Sequence, residues 1–566
     1  MISKRFFWVG ILGLLGVYIA GLPATLMEND SAQFAVMAMR MVQEHDFWSL
    51  WKGPEEYLDK PHLHYWLAAF SYLLFGVQDW AYRLPALLAT CLGAWSVFGL
   101  GRMLYGTQAG RMAALIFMSA QTIVLAGIDV RTDAVLTGCT AFALWQWMRY
   151  LREQRLSGLL WGALGAGLAF STKGQIALVV IGLPLLCHVV ATRGWKAIFH
   201  SRFLLALLVF GLVISPVLYA YYLQFDLHPE KVIRGRDHRS GVLFILWEQS
   251  FERLSGEGVG KNSSDYFFFF HTFLWVFLPW TLMGLAAYGR RLREAWRYGR
   301  GRGAGPAEWL TLGGITLIFL LISFAQFKLP HYLNITIPLF AVLTAGFLWT
   351  LQQEGRLRWL RRAARVQAGI FVIFLLAMAG ILCWVFPQPA WQAVLWIGLV
   401  VGVGAWMFKG VSQPLPRLVG ISLWAAVALN ALMNAYFYPH LLRYQAGSET
   451  ARLIRDKQLP VDRIYKLDAD HTWALDFYFG QPVEITTAEQ LAQKGKAWVY
   501  LTADQLDTLK QGEWQVAEEY PVEQFRISRL QARFLNPETR GQVVRYRYLA
   551  RVIPAAGEAP VSGSDK

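Results

Sequence analysis

The chain has 566 residues, of which 55% are hydrophobic and 16% are charged, and its mean hydropathy is +0.34. This composition excludes an ordinary soluble globular protein and predicts that lipid is the solvent for most of the chain. The formal net charge of +15 does not indicate a nucleic-acid partner, because acids and bases are nearly balanced after Pro439 and the excess of bases lies in the apolar part.

Long apolar runs predict a mostly α-helical protein that crosses the membrane many times. The first run starts with Lys4 and Arg5 and continues to Ala24, and because it lacks a clear cleavage site we expect it to be retained as a transmembrane helix. Further runs long enough to cross the hydrocarbon core lie at 80–101, 109–128, 133–150, 156–172, 174–192, 203–223, 266–289, 308–327, 331–351, 366–386, 390–408 and 417–437. The total is about thirteen spans.

The charges of the connecting loops predict the orientation of these spans. Lys and Arg are concentrated in every second loop, from 102–111 near the N-terminus to 409–417 near the end of the apolar part. Since such residues favour the cytoplasmic side, the N-terminus is expected inside the cell. The long loops 27–79 and 224–265 and the segment 438–566 are then expected outside the cytoplasm.

The remaining residues predict two interfacial helices and one soluble domain. Segments 30–47 and 62–75 are too short and too mixed in polarity to span, and each fits a helix that lies in the membrane interface. We divide the chain into a membrane domain, 1–437, and a small α/β domain, 438–566, because the composition changes there. The predicted strands of this domain lie at 463–467, 497–502, 514–520, 526–534 and 543–552, and its predicted helices at 473–479, 488–493 and 504–511.

Polar residues open the first outer loop directly after the first span. Glu28 or Asp30 could act there as a general base or a metal ligand. An ordinary helix cap would use the same residue types. Further along this loop, Asp59, Lys60 and His62 lie among aromatic residues, which is also typical of an interfacial aromatic belt. These residues alone do not distinguish a functional site from a helix cap at Glu28 and Asp30, or from an aromatic belt around Asp59, Lys60 and His62.

Other charged residues interrupt the apolar runs at the predicted outer ends of helices. Asp133, Lys173 and Lys328 are examples, and charges at membrane depth are costly enough to mark functional candidates. Lys173 has no acidic neighbour in sequence, so its counter-ion must come from elsewhere in the fold or from a ligand. An anionic ligand would account for these two lysines together with Lys60 and Arg253, whereas a snorkelling side chain accounts for each one alone.

The order of these motifs resembles the bacterial branch of the protein O-mannosyltransferase-like glycosyltransferases, including the aminoarabinose transferases that act on lipid A. The motifs are an acid after the first span, Asp59-Lys60-Pro61, Thr132-Asp133, Thr172-Lys173-Gly174 and Lys328-Leu329-Pro330-His331-Tyr332. Each motif is short, but their order and their common position on the outer side extend over residues 1–350.

The resemblance implies a GT-C fold in the cell inner membrane that moves a sugar from a polyprenyl phosphate to an acceptor, which is lipid A, a glycan or a protein, at the outer face. Asp30 and Asp133 match the catalytic acids of the family. Lys60, Lys173 and Arg253 are expected to bind the donor phosphate. The other candidates for substrate contact are Glu28, Asp59, His62, Lys328 and Tyr332.

One part of the family pattern bears on metal binding. Asp59 stands where the aminoarabinose transferases carry Glu, and a histidine of their long outer loop is replaced near Ser250. A divalent metal is therefore left open as a cofactor, with Asp59 as its one candidate ligand. The chemistry needs cations in any case, because a lipid phosphate leaves as an anion. The acceptor hydroxyl needs a base, for which Asp30 is the candidate, and Asp133 would position a substrate.

Two other classes of protein fit part of this pattern. A transporter or flippase for a lipid-linked sugar would also carry outer cations, but it should place binding groups at the membrane midplane, on broken helices in paired positions. The charges here collect on one side, which favours an enzyme. A sensor or assembly protein, in which the charged residues only anchor the outer domain, is the third class.

Overall fold

The computed structural model of the protein describes residues 1–255, 262, 265–302, 308–467, 472–512 and 514–554. For Ala197 and residues 253–255 the description covers the backbone alone. The glycine-rich segment 256–260, whose composition predicts a mobile part of the long outer loop, lies outside these residues.

Helices account for most of the chain up to Tyr444. They are α1 (Lys4–Gly21), α2 (Asp30–Gln43), α3 (Leu63–Phe75), α4 (Asp79–Tyr105), α5 (Thr107–Ser119), α6 (Gln121–Ala126), α7 (Thr132–Glu153), α8 (Leu156–Lys173), α9 (Gln175–Thr192), α10 (Trp195–Ile198), α11 (Arg202–Tyr221), α12 (Gly241–Leu243), α13 (Gln249–Ser255), α14 (Phe268–Val276), α15 (Thr281–Gly299), α16 (Leu310–Phe324), α17 (Ile337–Gln353), α18 (Leu357–Gly380), α19 (Ala390–Phe408), α20 (Pro414–Leu432) and α21 (Tyr438–Leu441). In the first outer loop, β1 (Trp51–Lys52) and β2 (Glu55–Glu56) form a short antiparallel ladder.

The prediction of a helical protein with many spans is confirmed. Among the described residues, eight helical segments are long and apolar enough to cross a membrane: Lys4–Gly21, Asp79–Tyr105, Gln175–Thr192, Arg202–Asp226, Pro330–Gln353, Leu357–Val385, Ala390–Phe408 and Pro414–Tyr444. The other predicted runs are also helical, although 109–128 is interrupted at Ala120, which is extended with φ −66° and ψ 130°, and 266–289 is interrupted between α14 and α15. The total of about thirteen spans stays a prediction.

A small α/β domain follows Tyr444. Its helices are α22 (Ala446–Asp456), α23 (Trp473–Phe479), α24 (Ala488–Lys494), α25 (Ala503–Gln511), α26 (Ala532–Leu535) and α27 (Pro537–Arg540), and its strands are β3 (Ile464–Lys466), β4 (Glu484–Ile485), β5 (Ala497–Thr502), β6 (Trp514–Gln524) and β7 (Arg545–Pro554). They form one five-stranded sheet in the order β4-β3-β5-β7-β6. β3 runs parallel to β4 and β5, whereas β7 is antiparallel to β5 and β6.

The predicted strand at 526–534 is wrong. This segment contains a short 3-10 helix, Ile527–Arg529, followed by α26. Phe525 and Phe534, on either side of this 3-10 helix, stack on each other with ring centroids 4.0 Å apart. The apolar residues therefore close a loop onto itself instead of facing a neighbouring strand.

The interfacial position of α2 stays a prediction, but its apolar face is covered by protein and not left open to a membrane. Most of its residues are buried, because α3 packs on one side and α23 packs on another. In contrast, α3 keeps an exposed apolar face that includes Phe70, Leu73 and Leu74, and this face fits the predicted interfacial position. α2 thus lies between α3 and the C-terminal domain.

Hydrogen bonds hold the C-terminal domain against the end of the first span. The hydroxyl of Tyr478 in α23 accepts a 2.7 Å bond from the backbone amide of Leu26 and donates to Asp79. The side chain of Gln445 bonds the backbone of both Leu26 and Glu28. The first outer loop and the C-terminal domain are therefore in direct contact where the candidate site lies.

Candidate active site

A cavity of about 740 Å³ lies where the first outer loop, the start of α7, the end of α8 and the C-terminal domain meet. Its lining includes five basic and four acidic side chains. The residues predicted from sequence that line it are Asp30, Asp59, Lys60, Asp133, Lys173 and Tyr332. The fold thus brings together residues from all five motifs.

Asp30 is the first residue of α2, and 42% of its side chain is exposed. The preceding residue, Asn29, has φ +72° and ψ −130°, a conformation that residues other than glycine rarely adopt. The side-chain amide of Asn29 donates a 3.0 Å hydrogen bond to the hydroxyl of Ser528, which connects this turn to the C-terminal domain. Strained backbone that is held by its surroundings is concentrated at functional sites.

Arg131 connects Asp30 to a second carboxylate. Its Nη1 donates a 2.7 Å bond to Asp30, while its Nε and Nη2 donate to Oδ2 of Asp129 at 3.1 and 2.9 Å. Charge-assisted bonds from a planar guanidinium fix orientation as well as charge. Arg131 therefore holds the Asp30 carboxylate in one orientation at the cavity surface.

Asp133 and Lys173 form a buried ion pair. Nζ of Lys173 lies 2.7 Å from Oδ1 of Asp133, and their side chains are 12% and 4% exposed. The same Nζ lies 4.8 Å from the ring centroid of Tyr332, and Nε2 of His331 lies 3.7 Å from Oδ2 of Asp133. The counter-ion that Lys173 lacks in sequence is thus supplied by the fold. An ammonium group has three donors, so the bond to Asp133 leaves capacity for an anionic ligand.

Asp59 and Lys60 line the same cavity from the loop that leads into α3. Nζ of Lys60 lies 3.1 Å from Oδ2 of Asp59, and the hydroxyl of Tyr57 donates to that oxygen at 3.3 Å. The side-chain amide of Gln249 donates to the backbone carbonyl of Asp59. The long outer loop therefore contacts the Asp-Lys-Pro motif directly.

The surroundings of Asp59 do not fit a divalent metal. Its carboxylate is engaged by Lys60 and Tyr57, whereas a hard cation needs several further oxygen ligands. Within the described part of the chain, no group of three His, Cys, Asp or Glu side chains is close enough to hold an ion. The Asp59 carboxylate therefore belongs to an ion pair with Lys60 and not to a metal site.

Glu28 does not face the cavity, contrary to its prediction as a substrate contact. Its carboxylate is buried and accepts hydrogen bonds from the backbone amides of Trp473 and Ala474 at 2.7 and 3.2 Å. Burial raises the pKa of Glu28 to about 7, although these amides oppose the shift. Glu28 caps α23 and so belongs to the contact between the first loop and the C-terminal domain.

His62 and Lys328 also lie outside the cavity lining. His62 is fully buried, its Nε2 is 2.9 Å from the carbonyl oxygen of Trp48, and burial lowers its pKa to about 4. The side chain of Lys328 is buried, with Nζ 5.3 Å from the ring centroid of Tyr266. Substrate contact by either residue stays a prediction that the lining of this cavity does not support. The Arg253 side chain is not among the described residues.

Several lining residues were absent from the predicted site. Asp129 and Arg131 interrupt the same apolar runs as Asp133, so their charge was a usable signal. Arg526 and Arg529 also line the cavity, but they lie in the segment predicted as a strand. Their position depends on how the C-terminal domain packs against the membrane domain, and no local sequence pattern predicts this packing.

One wall of the cavity is apolar. Its residues, which come from the end of the last span and from the ends of α6 and α14, include Met433, Phe437, Tyr438, Leu441, Leu125 and Trp275. A lining that contains both charged and apolar groups matches a ligand with an anionic head and a hydrocarbon tail.

A second cavity, of about 1150 Å³, lies between α2, the β1–β2 ladder and the C-terminal domain. Asn29 and Asp30 line both this cavity and the first one. The Asp30 carboxylate is therefore accessible to groups that approach from two directions.

Comparisons with known proteins agree on one family. The sequence profile of the family described as dolichyl-phosphate-mannose-protein mannosyltransferase matches residues 59–220. The undecaprenyl phosphate-alpha-4-amino-4-deoxy-L-arabinose arabinosyl transferase of Edwardsiella ictaluri is 28% identical over 354 residues, which are 60% of this chain and 58% of that protein. The corresponding transferase 1 of Sodalis glossinidius is 26% identical, over 81% of this chain and 79% of that protein. The first of these matches thus spans little more than half of the relative.

The fold of the whole chain is similar to a solved structure. ArnT from Cupriavidus metallidurans, crystallised with undecaprenyl phosphate, superposes with a TM-score of 0.71 at 19% identity and covers 98% of this chain and 100% of that chain. At this identity the likeness establishes the fold alone. With the profile match and the named relatives, it shows that the chain is similar to dolichyl-phosphate-mannose-protein mannosyltransferases over residues 59–220 and to the arabinosyl transferases over most of its length.

Proposed function

We propose that the protein transfers a sugar from a polyprenyl phosphate to an acceptor in the cavity that Asp30 lines. The observation that carries this proposal is one cavity with carboxylates, lysines and an apolar wall beside the ends of the spans. The names of the curated relatives specify undecaprenyl phosphate and 4-amino-4-deoxy-L-arabinose, so we propose a donor of this class. Lipid A is the proposed acceptor.

In the proposed reaction, the bond between the sugar C1 and the phosphate oxygen breaks, and the phosphate leaves with the electron pair. Lys173 and Lys60 stabilise its negative charge, because preformed cations in a partly enclosed site act strongly on developing charge. The acceptor oxygen forms the new bond to C1. Asp30 accepts the proton of the acceptor hydroxyl, and proton transfer of this kind typically contributes about 10²- to 10⁴-fold in rate.

Asp133 has a positioning role in this proposal. Its carboxylate holds Lys173 beside the ring of Tyr332, and it lies next to His331. A lysine on a flexible stem loses less freedom on binding phosphate when a buried partner already fixes its ammonium group. We assign no role to Arg253.

The proposal includes an orientation. We place the N-terminus in the cytoplasm, and the C-terminal domain on the outer face of the cell inner membrane, as the loop charges predict. Residues 1–437 would form the catalytic membrane domain, and residues 438–566 would cover its outer surface. Labelling of single cysteines introduced at Glu153 and at Glu489 with a membrane-impermeant reagent tests this: only the second should react in intact spheroplasts.

The experiment that tests the proposed function uses the full chain in liposomes. Undecaprenyl phosphate carrying radiolabelled aminoarabinose is supplied together with lipid A. We expect label on lipid A and release of undecaprenyl phosphate. If the donor crossed the bilayer intact and no label left it, the protein would be a transporter and the proposal would be wrong.

A further inference from the structure

Two arginines of the C-terminal domain line the cavity. Arg526 and Arg529 lie in the loop that follows β6. Arg526 directly precedes the 3-10 helix Ile527–Arg529, and Arg529 is the last residue of that helix. Both side chains are exposed. They are separated in sequence from every motif on which the proposed function rests. The nearest such motif ends at Tyr332.

The other three basic side chains of the lining are already paired with carboxylates. Lys173 bonds Asp133, and Lys60 bonds Asp59. Arg131 is shared between two aspartates. Within the part of the chain that the structure describes, neither Arg526 nor Arg529 forms a salt bridge with an acidic side chain. An anion that entered the cavity could therefore bind these two arginines without displacing a carboxylate. To bind Lys60, Lys173 or Arg131, it would have to compete with the aspartates that already pair with them.

The backbone that carries the two arginines is held in place. The ring of Phe525 stacks on Phe534, and its amide donates to the carbonyl of Tyr444 at 2.8 Å. Ile527 is buried, and the hydroxyl of Ser528 accepts the bond from Asn29. The loop is thus fixed beside Asp30, and both of its arginines line the cavity. A site prepared in this way binds an anion at a lower entropic cost than a mobile loop.

We propose that Arg526 and Arg529 form a phosphate-recognition pair that the C-terminal domain contributes to the site. A guanidinium presents paired N–H donors that match a phosphate, so two of them can grip one phosphate group. The proposal rests on the proposed function, because that function supplies the phosphate. The phosphate comes either from the polyprenyl donor or from lipid A, and the loop thereby determines the affinity for one of these two substrates.

Equilibrium binding tests this pair without any need for turnover. The full chain in nanodiscs is titrated with undecaprenyl phosphate, with lipid A, and with lipid A from which the phosphates have been removed. The variant Arg526→Gln/Arg529→Gln is expected to lose about tenfold or more in affinity for one phosphate-bearing ligand, since hydrogen bonds to charged groups are among the strong ones. Arg526→Lys/Arg529→Lys should retain part of that affinity.

The control variant is Arg533→Gln/Arg545→Gln, which removes two exposed arginines of the same domain that do not line the cavity. It should bind all three ligands as the wild type does. A donor site predicts loss for undecaprenyl phosphate alone. An acceptor site predicts loss for lipid A and no change for its dephosphorylated form.

Affinities of the Gln variant within twofold of the control for both phosphate ligands would overturn the inference. Absence of binding of either ligand to the wild type would overturn it as well. Failure of the proposed function is a separate result: the wild type would transfer no sugar, whether or not its binding of a phosphate ligand depended on the two arginines.

Discussion

Nζ of Lys173 lies 2.7 Å from Oδ1 of Asp133, and this contact joins the end of α8 to the start of α7 inside the cavity wall. Because the pair is buried, the attraction between the two charges must offset the free-energy cost of removing each of them from water. The lysine is therefore held at one place before any substrate arrives. This relationship connects the stability of the helix pair with the chemistry proposed for the cavity.

Neutralising one member of this pair should destabilise the protein more than neutralising both. Asp133→Asn or Lys173→Gln alone strands a buried charge, which costs roughly 3–5 kcal/mol. The double variant removes both charges, leaves neither one unpaired, and should therefore lose less stability than either single variant. Apparent unfolding temperatures of the purified proteins test this.

The exposed pair Arg149 and Glu153, with side chains 28% and 41% exposed, provides the control. Its single and double variants should each change stability by less than about 1 kcal/mol. Additive losses for Asp133→Asn and Lys173→Gln would contradict the structural coupling.

Arg131 should act on the rate of transfer more than on substrate affinity. In Arg131→Gln the Asp30 carboxylate loses the guanidinium that orients it, and misplacement of a reacting group can cost up to about 100-fold in rate. We expect kcat to fall and KM to change little. Arg131→Lys, which cannot bridge Asp30 and Asp129 in the same planar geometry, should be intermediate. An unchanged kcat in Arg131→Gln would mean that Asp30 needs no such support.

Gly174 should not tolerate a side chain. Its φ is +71°, and a Cβ there would lie 2.5 Å from Oε1 of Gln249, whose amide bonds the backbone of Asp59. Gly174→Ala is expected to destabilise the protein by roughly 1–3 kcal/mol and to slow transfer, because both the backbone and Gln249 must shift. Thermal unfolding and a transfer assay measure the two effects.

Gly182→Ala is the matched control for this substitution. Gly182 lies within α9 and a Cβ there would meet nothing within 4 Å. Alanine in a helix interior is favourable by about 0.5–1 kcal/mol relative to glycine. Equal behaviour of the two alanine variants would show that Gly174 has no special conformational role.

Glu28 should make the contact of the C-terminal domain dependent on pH. Burial raises its pKa from the ordinary value of 4.5 to about 7, so the folded protein favours the neutral carboxyl. The resulting stabilisation is complete below pH 4.5 and is lost as the pH rises through about 7. The size of this loss is roughly 3 kcal/mol.

Glu28→Gln removes this titration and keeps an oxygen acceptor for the amide of Trp473. The unfolding temperature of the variant, relative to that of the wild type, should therefore rise between pH 4.5 and 7 and then level off. Parallel pH profiles of the two proteins would mean that the carboxyl of Glu28 titrates alike in the folded and unfolded states.

The helices were predictable because the length and polarity of each apolar run are local properties. The side on which Asp133 and Lys173 lie was predictable too, since two consecutive helices joined at 154–155 bring the start of α7 and the end of α8 to the same level. The contact between their side chains was not, because it depends on how the two helices rotate and pack.

The contacts made by the C-terminal domain could not be predicted from local sequence patterns. Glu28 has the composition of a helix cap, and it does cap a helix, but that helix begins 445 residues away. The same docking buries α2, although the sequence of this helix has the amphipathic pattern of a helix on a membrane surface. It also brings Arg526 and Arg529 to the cavity from a segment that was predicted to be a strand.

The most direct test of the central claim is the rate at which Asp30→Asn transfers sugar from undecaprenyl phosphate to lipid A. Asparagine keeps an oxygen that can accept the bond from Arg131, but it cannot take a proton, so the rate should fall by about 10²- to 10⁴-fold while the fold stays intact. Glu230→Gln, an exposed acid of the other outer loop, should transfer at the wild-type rate. Transfer by Asp30→Asn at that same rate would contradict the assignment of Asp30 as the base.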